Sequence, residues 1–180
     1  HQFQASMRGV VSLVLQCFAA AVYAELDAED TGGVQQNYIE KPYVWEELDA
    51  ALPGYPQKKN LVDLGIATDG MQYTVYLDKP SLLMGEDGVV RYTVVLVSNS
   101  DVWNVSHEGL RCGEKQYRRY AYGANEKLQP LNNSPWRDVR GSGANLYRRI
   151  LYEQYFCNPM RPYKSAEEMI GRFSENWHEM

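Results

Sequence analysis

Arg91-Tyr92-Thr93-Val94-Val95-Leu96-Val97 is the stretch on which the fold turns. Its β-branched and aromatic residues favour extended backbone. Apolar side chains fall on both of its alternating faces, so a central strand covered on each side is expected. It belongs to a longer run, Val89 to Ser98, that comes after Ser81 to Met84 across Gly85-Glu86-Asp87-Gly88. The Asp-Gly pair supplies the positive φ angles of a tight turn, which makes the two runs a hairpin. Glu86 and Asp87 are assigned to its solvated tip.

Other strands extend outward from this hairpin. Leu61 to Ile66 and Gln72 to Leu77 precede it; Trp103 to Cys112 and Lys115 to Tyr122 come after it, separated by Gly113-Glu114. A period of two places Trp103, Val105 and His107 on one face and Asn104, Ser106 and Glu108 on the other. The same period groups Lys115, Tyr117, Arg119 and Ala121 against Arg118, Tyr120 and Tyr122. Residues 123–143 carry Asn, Pro and Gly and are expected to form a loop, with Trp136 plugging back into the domain.

Helices are expected at the two ends of the domain. Val44, Trp45, Leu48 and Leu52 stand at helical spacing before Pro53-Gly54-Tyr55-Pro56, predicting a short helix anchored by Trp45. A longer helix from about Ala144 to Phe156, capped by Ser142, would bury Leu146, Ile150, Leu151 and Tyr155 and leave Arg148 and Arg149 off that stripe. Ser165-Ala166-Glu167-Glu168 is a capping-box pattern opening a second helix that buries Met169, Ile170 and Phe173. The fold class is therefore α+β: an antiparallel β-sheet of about five to six strands packed against a C-terminal helix.

The start of the chain carries an address. Met7-Arg8 leads into an apolar run from Gly9 to Val22 that closes on Val22-Tyr23-Ala24, the layout of a secretory signal peptide cleaved after Ala24. His1 to Ser6 precede Met7 and are set aside. Lipidation at Cys17 is disfavoured because Gln16 stands where Gly or Ala is preferred. Residues 1–24 are thus an upstream segment plus signal, residues 25–42 a flexible acidic tail, and residues 43–180 one domain. Periplasmic export and a mature form without a membrane span are expected. In that oxidising compartment Cys112 and Cys157, the pair that survives cleavage, form one disulfide.

Charge is unevenly spread along the chain. Glu25 to Leu110 holds fifteen acidic and five basic residues, whereas Arg111 to Arg149 holds nine basic and three acidic. The basic block contains Arg111, Lys115, Arg118, Arg119, Lys127, Arg137, Arg140, Arg148 and Arg149. It either meets an anionic partner or neutralises the acidic half across the fold. Nucleic acid is not an expected partner outside the cytoplasm.

Catalytic signatures are sparse. His1 and His178 are terminal, and His107 has its neighbour Glu108 on the opposite strand face, so local sequence builds no dyad. Gly141-Ser142-Gly143 lacks the strand and spacing of a nucleophile elbow. No calcium loop, dinucleotide-binding glycine motif or P-loop is present, and no metal or cofactor is expected. Asn104-Val105-Ser106 and Asn132-Asn133-Ser134 fit a glycosylation pattern that matters only in a eukaryotic secretory route.

The run Val105-Ser106-His107-Glu108-Gly109-Leu110-Arg111-Cys112, then Lys115 to Gly123, Trp136 and Leu151-Tyr152-Glu153-Gln154-Tyr155-Phe156-Cys157 resembles the cryptic neisserial protein-like family of exported Gram-negative proteins. The resemblance spans roughly Trp45 to Cys157. It implies a periplasmic or outer-envelope location, supports the disulfide by analogy, and brings no catalytic residues with it. Two functional readings are left. In the first, a non-enzymatic accessory domain binds an envelope or periplasmic protein through Lys115, Arg118, Arg119, Tyr120 and Tyr122 and the loop around Arg137 and Arg140. In the alternative, a small hydrolase or binding protein holds an anionic envelope component with those arginines and uses His107 as acid or base. A cleft placing His107 near Arg118 or Arg119 with a carboxylate beside them would favour the alternative.

Overall fold

The computed structural model describes residues 42–66, 72–160 and 165–175, with side chains as far as Gly171. The expected signal segment with Cys17 and Ala24, the acidic tail up to Lys41, the Phe173 side chain and His178 lie outside the described residues. The chain divides between Tyr43 and Val44. Of the first unit only Pro42 and Tyr43 are described, both exposed and without regular secondary structure. All the described strands and helices belong to the second unit, which begins at Val44.

Seven antiparallel strands are described: β1 Leu61–Asp63, β2 Tyr73–Met84, β3 Val89–Ser98, β4 Trp103–Arg111, β5 Gln116–Ala124, β6 Lys127–Pro130 and β7 Arg137–Asp138. They run as a meander in the order β1-β2-β3-β4-β5-β6, and β7 also pairs with β5. β3 is central and buried from Val89 to Val95, as its pattern required. Ser81 to Met84 is not a separate strand: β2 runs through it, with a register shift between Asp78 and Leu83. Pro80, which has no N–H to donate to a ladder, lies within that irregular stretch. β6 and β7 lie in the segment expected to be loop. Asn125 and Glu126, at φ of 50° and 54°, make the two-residue turn that pairs β5 with β6.

The β2–β3 hairpin forms with Gly88 alone at positive φ (77°), closed by Gly88 N–H donating to the Gly85 carbonyl at 3.0 Å. Asp87 is therefore free to turn inward, and its carboxylate is buried rather than solvated.

One face of the sheet packs against helices. Val75, Leu77, Val90, Tyr92, Val94 and Leu110 meet Tyr147, Leu151, Phe156 and Met169 in a continuous apolar core. The helical run begins as a 3-10 turn, Gly143–Asn145, continues as α1, Leu146–Ile150, and ends as a π turn, Leu151–Phe156. Ser142 precedes it without a side-chain capping bond. The Cys112–Cys157 disulfide, with Cα atoms 5.2 Å apart, ties the end of β4 to the end of this run. α2, Ala166–Glu175, starts as expected, with the Glu168 N–H donating to Ser165 Oγ at 3.2 Å. Its Met169 is fully buried.

The other face is covered by Val44 to Pro56, which has no regular secondary structure and is not helical. Leu48 explains the difference, because its N–H donates to Asp87 Oδ2 at 2.8 Å and its carbonyl accepts from Arg91 at 3.1 Å. Those backbone groups are consumed by the sheet and cannot form a helical ladder. Leu48 and Leu52 of the expected apolar stripe stay 44% and 38% exposed.

Candidate functional site

Residues of β4 alternate as expected, and each face receives a different polar cluster. On the helix face, Glu108 is 0% exposed. Its carboxylate accepts from Tyr92 (3.3 Å), Ser106 (2.7 Å), Tyr147 (2.8 Å) and twice from Arg148 (2.6 and 2.8 Å). A buried carboxylate is tolerated because these donors and the paired charge replace water. Arg148 is accordingly not off the buried stripe: it is buried against the rings of Tyr117 and Tyr147, at 4.3 and 4.7 Å. Burial opposes its charge, but the bonds and charge of Glu108 prevail and raise its pKa.

On the opposite face, Asp87 takes two bonds from the buried Arg91, at 2.6 and 3.1 Å. Burial works against the Asp87 carboxylate, yet the bonds from Arg91 and from the Leu48 and Val89 N–H groups bring its pKa below the ordinary value. Gly85 makes room for this pair, since a Cβ there would stand 2.6 Å from Arg91 Nη1. Glu47 reaches down from the covering segment to accept from Arg118 (2.6 Å), Tyr120 (2.6 Å) and Trp136 (3.4 Å). The Trp45 indole donates to the Asp87 carbonyl at 2.8 Å while Arg111 stacks on its ring at 3.8 Å. Trp45, expected as the anchor of a short helix, and Trp136, expected as a plug, meet edge to face. Glu47 lies in the segment expected to be a short helix and is the carboxylate that pins it to the sheet.

His107 lies on that face beside Thr93, its Nδ1 2.9 Å from Thr93 Oγ1. Burial, with Arg91 adding to it and Glu108 opposing, pushes its pKa down to about 4. Asp78 pairs across Thr93 in register, so Asp78, Thr93 and His107 form one row across β2, β3 and β4. Asp78 is 3% exposed, its Oδ1 has no hydrogen-bond partner, and burial raises its pKa to about 6. A cavity of about 270 Å³ opens between the covering segment and the sheet, lined by Glu47, Leu48, Arg91, His107, Arg118 and Tyr120 among others.

β5 departs from strict alternation. Glu108 pairs with Arg119 and His107 with Ala121, so Tyr120 is the extra residue of a bulge. Ala121 consequently shares the His107 face and Tyr122, opposite Ser106, the helix face, the reverse of the expected grouping. Gly109 accommodates the displaced Tyr120 ring, which a Cβ would meet at 2.8 Å.

A second cleft, about 530 Å³, lies on the helix-face side of β5. Tyr117, Arg119, Arg137 and Arg148 line it together with Asn132, Asn133, Ser134 and Asn145. Arg119 Nε donates to Ser106 Oγ at 3.2 Å, and Ser106 in turn donates to Glu108. Among the other expected contact residues, Lys115 lies 3.9 Å from Glu153, Arg140 lies 3.2 Å from Asp138, and Tyr122 is 42% exposed. The eight expected binding residues are therefore divided: Arg118, Tyr120 and His107 line the smaller cavity, Arg119 and Arg137 the larger cleft, and Lys115, Tyr122 and Arg140 neither. Among the described residues no cluster of His, Cys, Asp and Glu suits a metal ion.

The model of the CNP1-like family matches residues 40–174. The chain belongs to the CNP1-like family. No curated protein and no solved structure matches it. The family match takes in the covering segment, all seven strands and nearly all of α2, so both polar clusters of this CNP1-like domain fall inside it. Sequence reasoning brought Glu47, Asp87, Arg91 and Glu108 into no cluster and placed Arg148 only in the basic block. Arg91 carried a usable signal, since an arginine inside an otherwise apolar central strand must be paired if it is buried.

Proposed function

We propose that this is an exported accessory domain of the cell envelope that binds an acidic partner and does not transform it. The observation that carries the reading is the lining of the larger cleft, which offers guanidinium and amide donors and no carboxylate, imidazole or thiol. Such a surface recognises negative charge but has no proton acceptor matched to acid–base work. The carboxylates deeper in the domain are already committed, Glu108 to Arg148 and Asp87 to Arg91. Periplasmic location after cleavage at Ala24 is part of the same proposal and rests on the Met7 to Ala24 pattern.

One observation favours the hydrolase alternative: the smaller cavity brings His107, Arg118 and Glu47 to one place. Against it, His107 is held neutral and weakly basic at a pKa of about 4, and Glu47 is saturated by its donors. Crosslinking and affinity purification of the full chain from the envelope fraction tests the main reading. A discrete acidic partner recovered with wild type and lost with Arg119→Ala plus Arg137→Ala is expected. Equal recovery by that double variant would overturn it, and turnover abolished by His107→Ala would establish the alternative.

A further inference from the structure

We infer that the larger cleft binds the dianionic phosphate of a phosphomonoester, gripped between Arg119 and Arg137; this deepens the proposed binding role and rests on it. The charge balance selects the ligand. Arg148 is neutralised by Glu108 and turns its Nη1 to Asn145, so it forms the wall of the cleft and contributes no free charge. Arg119 and Arg137 are the remaining cations of the lining, and neither makes an ion pair among the described residues. Two uncancelled guanidinium groups balance a dianion, whereas a planar carboxylate is satisfied by one bidentate arginine.

Register brings the two arginines together. Arg137 of β7 pairs with Tyr117 of β5, and Arg119 stands two residues further along β5 on the same face. Diagonal neighbours on one face of a sheet lie about 7–8 Å apart, a span that two arginine side chains can close around one tetrahedral anion. Arg119 is oriented for this: its Nε is held by Ser106, whose hydroxyl is held by Glu108, so the buried carboxylate positions the cleft's cation through one intermediary. Asn132, Asn133 and Ser134 on the facing loop supply neutral donors for the remaining phosphate oxygens. The cleft, at about 530 Å³, also has room for the small organic group that carries the phosphate.

The ligand's source is either a soluble phosphomonoester or a lipid headgroup that ends in one. Calorimetric titration of the full chain with inorganic phosphate and with glycerol 3-phosphate addresses the first. Co-sedimentation with phosphatidylcholine vesicles, with and without phosphatidic acid, addresses the second. Saturable binding at about pH 7.5 is expected, weakening toward about pH 5 as the phosphate loses its second charge. Arg119→Ala and Arg137→Ala should each lower affinity by about tenfold or more, Arg119→Lys by less, and Arg140→Ala, outside the cleft, not at all. Binding of glycerol 3-phosphate assigns a soluble ligand; sedimentation that needs phosphatidic acid and Arg119 assigns a headgroup. Failure of all these probes, or binding indifferent to both arginines, overturns the phosphate assignment. If an acidic protein is still captured through Arg119 and Arg137 in that case, the binding role survives and only the ligand class falls.

Discussion

The two faces of the sheet each bury an arginine against a carboxylate, and they do so in opposite ways. On the helix face, Glu108 of β4 and Arg148 of α1 are forty residues apart and joined within an apolar core that a disulfide also fastens. On the other face, Asp87 and Arg91 are four residues apart in one hairpin, and they hold a covering segment that has no secondary structure of its own. The first pair links elements that cannot separate without exposing the core. The second organises a polar lid over a sheet that is already formed. Local opening is therefore expected on the covering-segment side and global unfolding from the helix side.

Four changes put that contrast at risk. Glu108→Gln should have the largest effect, about 3–5 kcal/mol lost in urea unfolding, because it leaves Arg148 buried and uncompensated. Replacing both partners with apolar residues of similar size should recover most of the loss. A loss under about 1 kcal/mol for the single change would mean that the buried pair does not set the helix face apart. Next, Cys112→Ser should cost about 2–4 kcal/mol, seen as a lower thermal midpoint that added reductant no longer shifts. Identical melting of the wild type with and without reductant would show that the tether adds nothing to the helix face.

The third change concerns the row beneath the covering segment. Folded Asp78 keeps its proton up to about pH 6, whereas an unfolded aspartate releases it near 4. Its stabilising contribution is thus complete below about pH 4 and lost as pH rises through about 6. His107 behaves in the opposite sense: its folded pKa of about 4 lies below 6.5, so its contribution is present above 6.5 and lost as pH falls through 4. Both side chains are neutral near pH 5. Asp78→Asn should therefore raise stability at pH 7 by on the order of 1–2 kcal/mol and remove the decline between about pH 4 and 6, leaving the opposite rise that His107 contributes over that range. A variant less stable than wild type at pH 7 would show that the carboxylate is paired after all.

The smallest effect on global stability belongs to Glu47→Gln. It should change unfolding by about 1 kcal/mol or less, since Glu47 is partly solvated and its donors lie near the surface. Limited proteolysis should nevertheless cut faster between Val44 and Pro56. If the global midpoint fell as far as with Glu108→Gln, the covering segment would be as integral as the helices and the contrast between the faces would collapse.

Much of the fold was legible because strand signals are local. The Val89 to Val97 run, the turn at Gly85 to Gly88, the alternation of β4, the Ser165 cap and the Cys112–Cys157 pair all follow from residue type and spacing within a few positions, or from pairing the two cysteines that remain. The candidate site was legible only in its residue types. Arg119 and Arg137 belong to the expected basic set, but periodicity could not reveal that β7 folds back on β5 and brings them to one cleft. It did separate Arg118 and Tyr120 from Arg119, but it could not show that Glu47 engages both from more than seventy positions away.

Sequence alone determined that this chain builds an antiparallel sheet with helices at its C-terminal end and carries a block of basic charge around β5. Tertiary structure decided which charges remain available. Glu108 neutralises Arg148, Glu47 engages Arg118, and a single extra residue at Tyr120 reverses the faces of Ala121 and Tyr122. The physical reason is that backbone preference and hydrophobic period act over a few residues. Coulombic pairing and desolvation depend on distances in space, and those distances are set only when the sheet, the helices and the covering segment have packed.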